Sequence, residues 1–277
     1  MRKIKLIKST SATIDGAGVH LQKAFGYHET ALFDPFLMLD DFRNDRPEDY
    51  LPGFPWHPHR GIETITYMLE GFAEHGDSMG NKGVLGKGDV QWMTAGSGII
   101  HQEMMRPGEK GRMYGFQLWS NLPASHKMMP PRYQDIKAAK IPTVKDPQGA
   151  EVRLICGTYL GQEGPVKDII TDPVYLDFRC EPKRKLTIPT HLGHTCFIYC
   201  YGGQGFIDGK SVVNRQVVLF EDGDSLELES GDKGFDFIFL TGKPLHEPIS
   251  WRGPIVMNTA DEIKQAFREL DNDTFIK

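Results

Sequence analysis

The chain is poor in the features that announce most function classes. Its 277 residues hold four cysteines, Cys156, Cys180, Cys196 and Cys200, and no CxxC pair, which removes the common zinc-binding arrangements. Cys196 and Cys200 are close in sequence, but on one strand they would lie about 13 Å apart, beyond the roughly 7 Å reach of a disulfide. The four read as buried thiols in a reducing compartment, so the expected location is cytoplasmic. No apolar run approaches the roughly 20 residues that a membrane helix needs. The basic start, Met1-Arg-Lys-Ile-Lys5, is not followed by the apolar stretch of a signal peptide, and no membrane association is expected. With 32 Lys and Arg against 37 Asp and Glu, the chain lacks the basic excess that grips a phosphate backbone, so direct nucleic-acid binding is not expected. No GxGxxG or P-loop pattern occurs.

What is present reads as many short strands, twice over. Ile62–Leu69, Asp89–Met93 and Arg112–Ser120 are apolar or aromatic stretches cut by turn-like clusters at Glu70-Gly71, Gly76–Lys82 and Gly86-Lys87-Gly88. Regular short strands with such punctuation predict a sandwich or barrel. Asn121–Pro142, with Pro123, Pro130, Pro131 and Pro142, reads as a connection between domains. A second strand-rich block runs from Val152 to Leu240. Thr66–Gly71 aligns with Phe197–Gly202, and Gly88-Asp89 with Gly223-Asp224, in the same order, which favours a duplicated β-barrel. The expected domains are residues 1–130 and 131–277. The second is expected to carry one terminal helix, where Ile263, Ala266, Phe267 and Leu270 recur at helical spacing behind a Thr259/Glu262 capping box.

Two short runs carry the chemistry: His57-Pro-His59 and His101-Gln-Glu103. Residues two apart on a strand point to one face. Two such pairs on neighbouring strands would make a pocket of three imidazoles and one carboxylate, a set suited to a divalent transition metal with open positions. Ligand softness allows Fe, Mn, Co, Ni or Cu. The duplication supplies an internal control. In the second copy the aligned positions are Ile188, Thr190, Asp236 and Ile238, and His191 and His194, three apart, read as loop residues, so one metal is expected, in the first barrel. Gly96-Ser97-Gly98 reads as the tight turn before His101. Arg60 is expected to pair with Asp40 or Asp41 and hold the ligand strand. Phe36, Phe54, Trp56, Met68, Trp92, Met93 and Phe116 are candidates for barrel core or pocket lining.

His57-x-His59, Glu63, Gly88 and His101 are similar to the paired motifs of cupins, small double-stranded β-helix barrels related to the jelly roll. The match departs from the general pattern: no proline stands around Thr94-Ala95-Gly96, and no asparagine follows His101. In many cupins the carboxylate ligand falls where Glu63 stands. Here Glu103, on the strand face of His101, is its rival, and Glu63 is expected to orient an imidazole or to be structural.

Longer motifs narrow this. Phe33–Phe42, Phe54–Thr64, Met93–Glu103, Gln117–Pro123 and Gly242–Pro248 closely resemble the pirin family across essentially the whole chain. The resemblance implies an all-β bicupin with one metal in the N-terminal barrel, usually iron, and ligands that fall on His57, His59, His101 and Glu103. It implies a dioxygenase that opens a flavonol such as quercetin with O2 and releases CO, with Glu103 as the general base toward the 3-hydroxyl. The alternative it carries is an iron-dependent redox-sensing protein that binds a transcription factor or a metabolic enzyme. A two-barrel chain can bury its own sheet faces, and a monomer is expected.

Overall fold

The computed structural model describes residues 1–277. The chain is all-β, two tandem cupin barrels with a C-terminal helix. Contacts divide it into two units, and each terminus belongs to the barrel that is more distant in sequence.

The first unit comprises residues 12–30, 36–138 and 245–277. Its seven-stranded antiparallel sheet runs in the order Arg132–Ile136, Val90–Thr94, Ile62–Glu70, Tyr114–Asn121, Phe36–Asp41, Val19–Phe25, Ser11–Asp15. A second sheet of four strands runs Phe54–His59, Ile99–Arg106, Phe72–Asp77, Lys82–Leu85. Register fixes which side chains share a face. Thr66 is paired with Gln91 on one side and with Gln117 on the other, and Thr64 with Met93 and Trp119. These six residues therefore line one surface, while Glu63, Ile65 and Tyr67 line the opposite one.

The segment expected to be a connection is instead largely structural. Arg132–Ile136 pairs residue for residue with Val90–Thr94. Lys127 is buried and donates to the Gly61 carbonyl at 2.9 Å, the Val256 carbonyl at 3.0 Å and Asn121 Oδ1 at 2.7 Å. The irregular parts are two 3-10 turns, Ala124–His126 and Ala138–Lys140, and the short stretches beside them.

The terminal helix, Ala260–Asp271, is capped as expected: Thr259 and Glu262 bond reciprocally. Its place differs from expectation. Ile263 and Ala266 pack with Ile255, Met257 and Phe275 against Ile100 of the first barrel. Arg60 explains the attachment. Its guanidinium donates to Glu269 at 2.7 Å, to the Phe275 carbonyl at 2.9 Å and to the Ser97 carbonyl at 2.6 Å. The expected partners are taken elsewhere, Asp40 by Lys23 and Asp41 by Arg43.

The second unit comprises residues 1–11, 31–35 and 139–244. Ile4–Ser9 enters its nine-stranded sheet beside Gln216–Phe220, so the N-terminal strand, expected in the first barrel, belongs here. Two long strands, Thr195–Ile207 and Ser225–Gly242, pair along most of their length with register shifts at Cys200/Gly202 and Gly203/Gly205. At this bulge Gly203 has φ +66°, and a Cβ on it would stand 2.2 Å from the Gly234 carbonyl oxygen. Only glycine fits so close a crossing. Phe178, Phe235, Phe237, Phe239, Ile188 and Ile198 fill the core. All four cysteines are buried thiols in this unit, in no disulfide, and burial pushes the Cys196 thiol up to about 12. His191 and His194 lie in the loop before Thr195.

Candidate metal centre

The two ligand runs sit on neighbouring strands of the four-stranded sheet, Phe54–His59 and Ile99–Arg106, with His101 opposite His57. The turn that feeds the second strand depends on glycine. Gly96 has φ +50°, and a Cβ there would meet the Met129 carbonyl oxygen at 2.1 Å. Ligand nitrogens of His57, His59 and His101 converge within 4.8 Å of one another.

The acceptors around two of these rings set their tautomers. His57 Nδ1 lies 2.7 Å from the Pro55 carbonyl oxygen, and His59 Nδ1 lies 2.9 Å from that of Pro254. A carbonyl only accepts, so each neutral ring carries its proton on Nδ1 and presents a bare lone pair on Nε2. Those two Nε2 atoms face each other at 3.0 Å. Both nitrogens of His101 are buried without a partner. Burial, with His57 nearby, pushes the His59 imidazole down to about 3, and burial drives His101 well below its ordinary range. Three converging imidazoles, two of them kept from protonation by burial and one with both nitrogens orphaned, fit a divalent metal ion. Bidding for the same space, they would otherwise repel.

Glu103 is buried on the same strand face as His101, two residues along. Its two oxygens are claimed by Thr66 Oγ1 and Gln117 Nε2, each at 2.8 Å. Glu63 is elsewhere. It lies on the strand face opposite to Thr66, shared with Trp92, and accepts from Thr94 at 2.7 Å. Burial raises its carboxyl to about 7 against the lowering effects of Thr94 and Trp92. It touches none of the three imidazoles, so an orienting role toward them has no contact behind it.

Of the seven lining candidates, Met93 shares the surface of Thr64 and Thr66. Trp92 and Phe116 fall on the other face, Met68 joins a core cluster with Tyr50 and Met105, Phe36 is buried, Phe54 is half-buried and Trp56 is exposed. Sequence reasoning missed His75, Asp77, Tyr133, Gln117 and Trp119. The His75 ring stacks on Tyr133 with centroids 4.6 Å apart and lies 5.5 Å from that of His101. Asp77 takes His75 Nε2 at 3.1 Å. The Trp119 ring stands edge-on to His59 at 5.0 Å. His75-Gly-Asp77 repeats the two-apart spacing of the ligand runs, which was the available signal.

Family models cover most of the chain. One described as Pirin matches residues 18–120, and one described as Pirin C-terminal cupin domain matches residues 175–276. The chain belongs to the pirin family. Human pirin is 39% identical over 277 residues, covering 98% of this chain and 93% of that one. A Pseudomonas aeruginosa relative, whose name carries quercetin 2,3-dioxygenase as a provisional assignment, is 45% identical over 264 residues, covering 92% of this chain and 91% of its own. Among solved structures, a quercetin 2,3-dioxygenase from Acinetobacter baumannii superposes with TM-score 0.91 at 31% identity, covering 99% of this chain and 98% of that one.

Proposed function

We propose that this pirin-family chain is a metal-dependent dioxygenase that opens the ring of a flavonol such as quercetin with O2 and releases CO. The observation that carries the reading is one buried carboxylate, Glu103, beside three convergent imidazoles. The names of the Pseudomonas and Acinetobacter relatives support it.

His57, His59, His101 and Glu103 would hold the metal, Fe(II) by family resemblance, with Mn, Co, Ni or Cu suited to the same ligands. When bound, such an ion supplies Lewis acidity toward a substrate oxygen and open positions. Glu103 accepts the proton of the flavonol 3-hydroxyl. Thr66 and Gln117 occupy only two of its roughly four lone-pair directions, which leaves acceptor capacity for that proton. Met93 and Trp119 give the same surface an apolar wall for an aromatic ligand. Burial of Glu103 and His101 keeps bulk water from competing for the hydroxyl.

The test is quercetin turnover by protein loaded anaerobically with Fe(II) and then exposed to oxygen. Loss of flavonol absorbance should match oxygen uptake and CO release, be absent without metal, and fail in a metal-loaded Glu103→Ala variant. Full activity in that variant removes the base role. The regulatory reading draws on a different observation: Trp56, next to His57 on an edge strand, is 56% exposed, so a change at the ligand strand is displayed at the surface. Metal-loaded protein without turnover, but with affinity for a protein partner that depends on iron oxidation state, would establish that reading instead.

A further inference from the structure

An unbroken line of aromatic rings runs from a histidine of the metal site to the protein surface. The Trp119 ring stands edge-on to His59 with centroids 5.0 Å apart. Trp251 lies against Trp119 at 5.7 Å, and Tyr27 against Trp251 at 5.6 Å. All three separations fall within the roughly 4.5–7 Å of aromatic contact. The four residues come from separate stretches of the chain, so the line is a product of the fold. Two of the rings are pinned: Trp119 Nε1 donates to Gln117 Oε1 at 3.3 Å, and Trp251 Nε1 to the Gly253 carbonyl at 2.7 Å. Trp251 belongs to the hairpin of Ser250–Arg252 and Ile255–Met257, whose turn also places the Pro254 carbonyl beside His59 Nδ1. Apolar packing accounts for Trp119, which is buried in a cluster with Met93 and Val256. It does not account for Tyr27, 60% exposed at the outer end.

Indole and phenol are among the side chains that give up one electron most readily, and tunnelling between them falls off exponentially with the gap, so rings in contact pass charge fast. A phenol that loses an electron must also lose its proton, and a lasting phenoxyl radical therefore needs a proton acceptor. Water reaches Tyr27. Tyr133 also approaches the site, stacked on His75, but its hydroxyl is buried without a partner. We propose that Trp119, Trp251 and Tyr27 form an electron relay through which an oxidising equivalent stranded at the metal leaves the site and is released at the surface on Tyr27. The inference rests on the metal reading given above, with iron as the metal. With hydrogen peroxide as the oxidant, each molecule takes up two electrons and two protons and becomes two molecules of water. Iron supplies one electron in going from Fe(II) to Fe(III). Tyr27 supplies the other through Trp251 and Trp119, its O–H bond breaks, and its proton passes to water, while solvent delivers the two protons consumed. A thiol in solution then restores the O–H bond by giving up a hydrogen atom. The relay spares His59 and its neighbours when an oxidant reaches the metal without substrate.

Freeze-quench electron paramagnetic resonance tests it. Fe(II)-loaded protein, its iron content measured first, is mixed anaerobically with one equivalent of hydrogen peroxide and frozen within milliseconds. Wild type is expected to give a tyrosyl radical signal that is lost in Tyr27→Phe and in Trp251→Leu and kept in Tyr133→Phe. Peptide mass analysis after the reaction should show more oxidation of His59 and Trp119 in Tyr27→Phe than in wild type. Zn(II)-loaded protein, whose metal has no redox chemistry, is expected to give no radical. If Trp251→Leu does not fold, the exposed substitution Tyr27→Phe and its comparison with Tyr133→Phe still decide the matter. A tyrosyl signal that survives in Tyr27→Phe, one that appears equally with Zn(II), or no protein radical in iron-loaded wild type overturns the relay and leaves the metal reading intact. Failure of the wild type to bind stoichiometric iron overturns both.

Discussion

The Nε2 atoms of His57 and His59 face each other at 3.0 Å while each ring's Nδ1 is committed to a backbone carbonyl. In neutral rings this opposes two lone pairs, and the strain is relieved by a cation between them. Loading with a divalent transition metal should therefore raise the melting temperature, by about 2.7 kcal/mol of stabilisation at free metal 100-fold above Kd. His59→Ala should abolish both stoichiometric binding and the stabilisation. Metal analysis with thermal denaturation checks this, and an equal shift in the variant would exclude the site.

Acid should destabilise the metal-free protein through His59. Its folded-state value is about 3 because burial disfavours the imidazolium, against an ordinary value of 6.5. Between those limits the unfolded chain binds a proton that the native state refuses, so stability falls as pH drops from about 6.5 toward 3. His59→Gln should flatten that part of the profile, measured by denaturant midpoint against pH.

Glu63 gives the opposite slope. Burial lifts its carboxyl from 4.5 to about 7, so the native state holds the proton more tightly than the unfolded chain. Its contribution is fully present below 4.5 and is lost as pH rises through 7. Glu63→Gln, neutral at every pH, should remove this loss and gain on the order of 2 to 3 kcal/mol relative to wild type between pH 4.5 and 8. A difference that does not vary with pH would mean the carboxyl is not so perturbed.

Arg60 ties the C-terminal segment to the barrel by hydrogen bonds to Glu269, the Phe275 carbonyl and the Ser97 carbonyl, and lies over the Phe275 ring at 4.1 Å. Arg60→Ala leaves the buried Ser97 and Phe275 carbonyls without their donor and should cost about 3 kcal/mol. Hydrogen exchange should accelerate first in residues 260–277. Unchanged protection there would mean that the apolar contacts of Ile263 and Ala266 suffice.

Thr259 caps that helix alone, so its effect should be smaller and local. Thr259→Ala should cost about 1 kcal/mol, with Thr259→Ser close to neutral. Denaturant titration resolves the two, and equal losses would argue against the capping hydrogen bond as the cause.

Several features were legible because they are local. Strand parity alone places His57 with His59 and His101 with Glu103, and the capping box marks the helix start. What escaped depends on pairings between distant segments. His75-Gly-Asp77 has the same two-apart spacing as the ligand runs, but nothing in the sequence sets Phe72–Asp77 beside Ile99–Arg106. Glu63 looked like a site residue by motif position, yet it is an odd number of residues from Thr66, and only the register of Thr66 with Gln117 and Gln91 identifies which face is the site. Arg60 was expected to choose a nearby acid and chose Glu269, 209 residues away.

By itself the sequence determined the strand periodicity, the duplicated barrels, the capped helix and the pairs of side chains on each ligand strand, because these follow from backbone geometry over a few residues. Tertiary structure decided which barrel receives each terminus, how the imidazole tautomers are set by the Pro55 and Pro254 carbonyls, and that Glu103 is gripped by Thr66 and Gln117. Those outcomes arise from burial and hydrogen bonding between groups far apart in the chain, where the folded state alone brings donor and acceptor within reach.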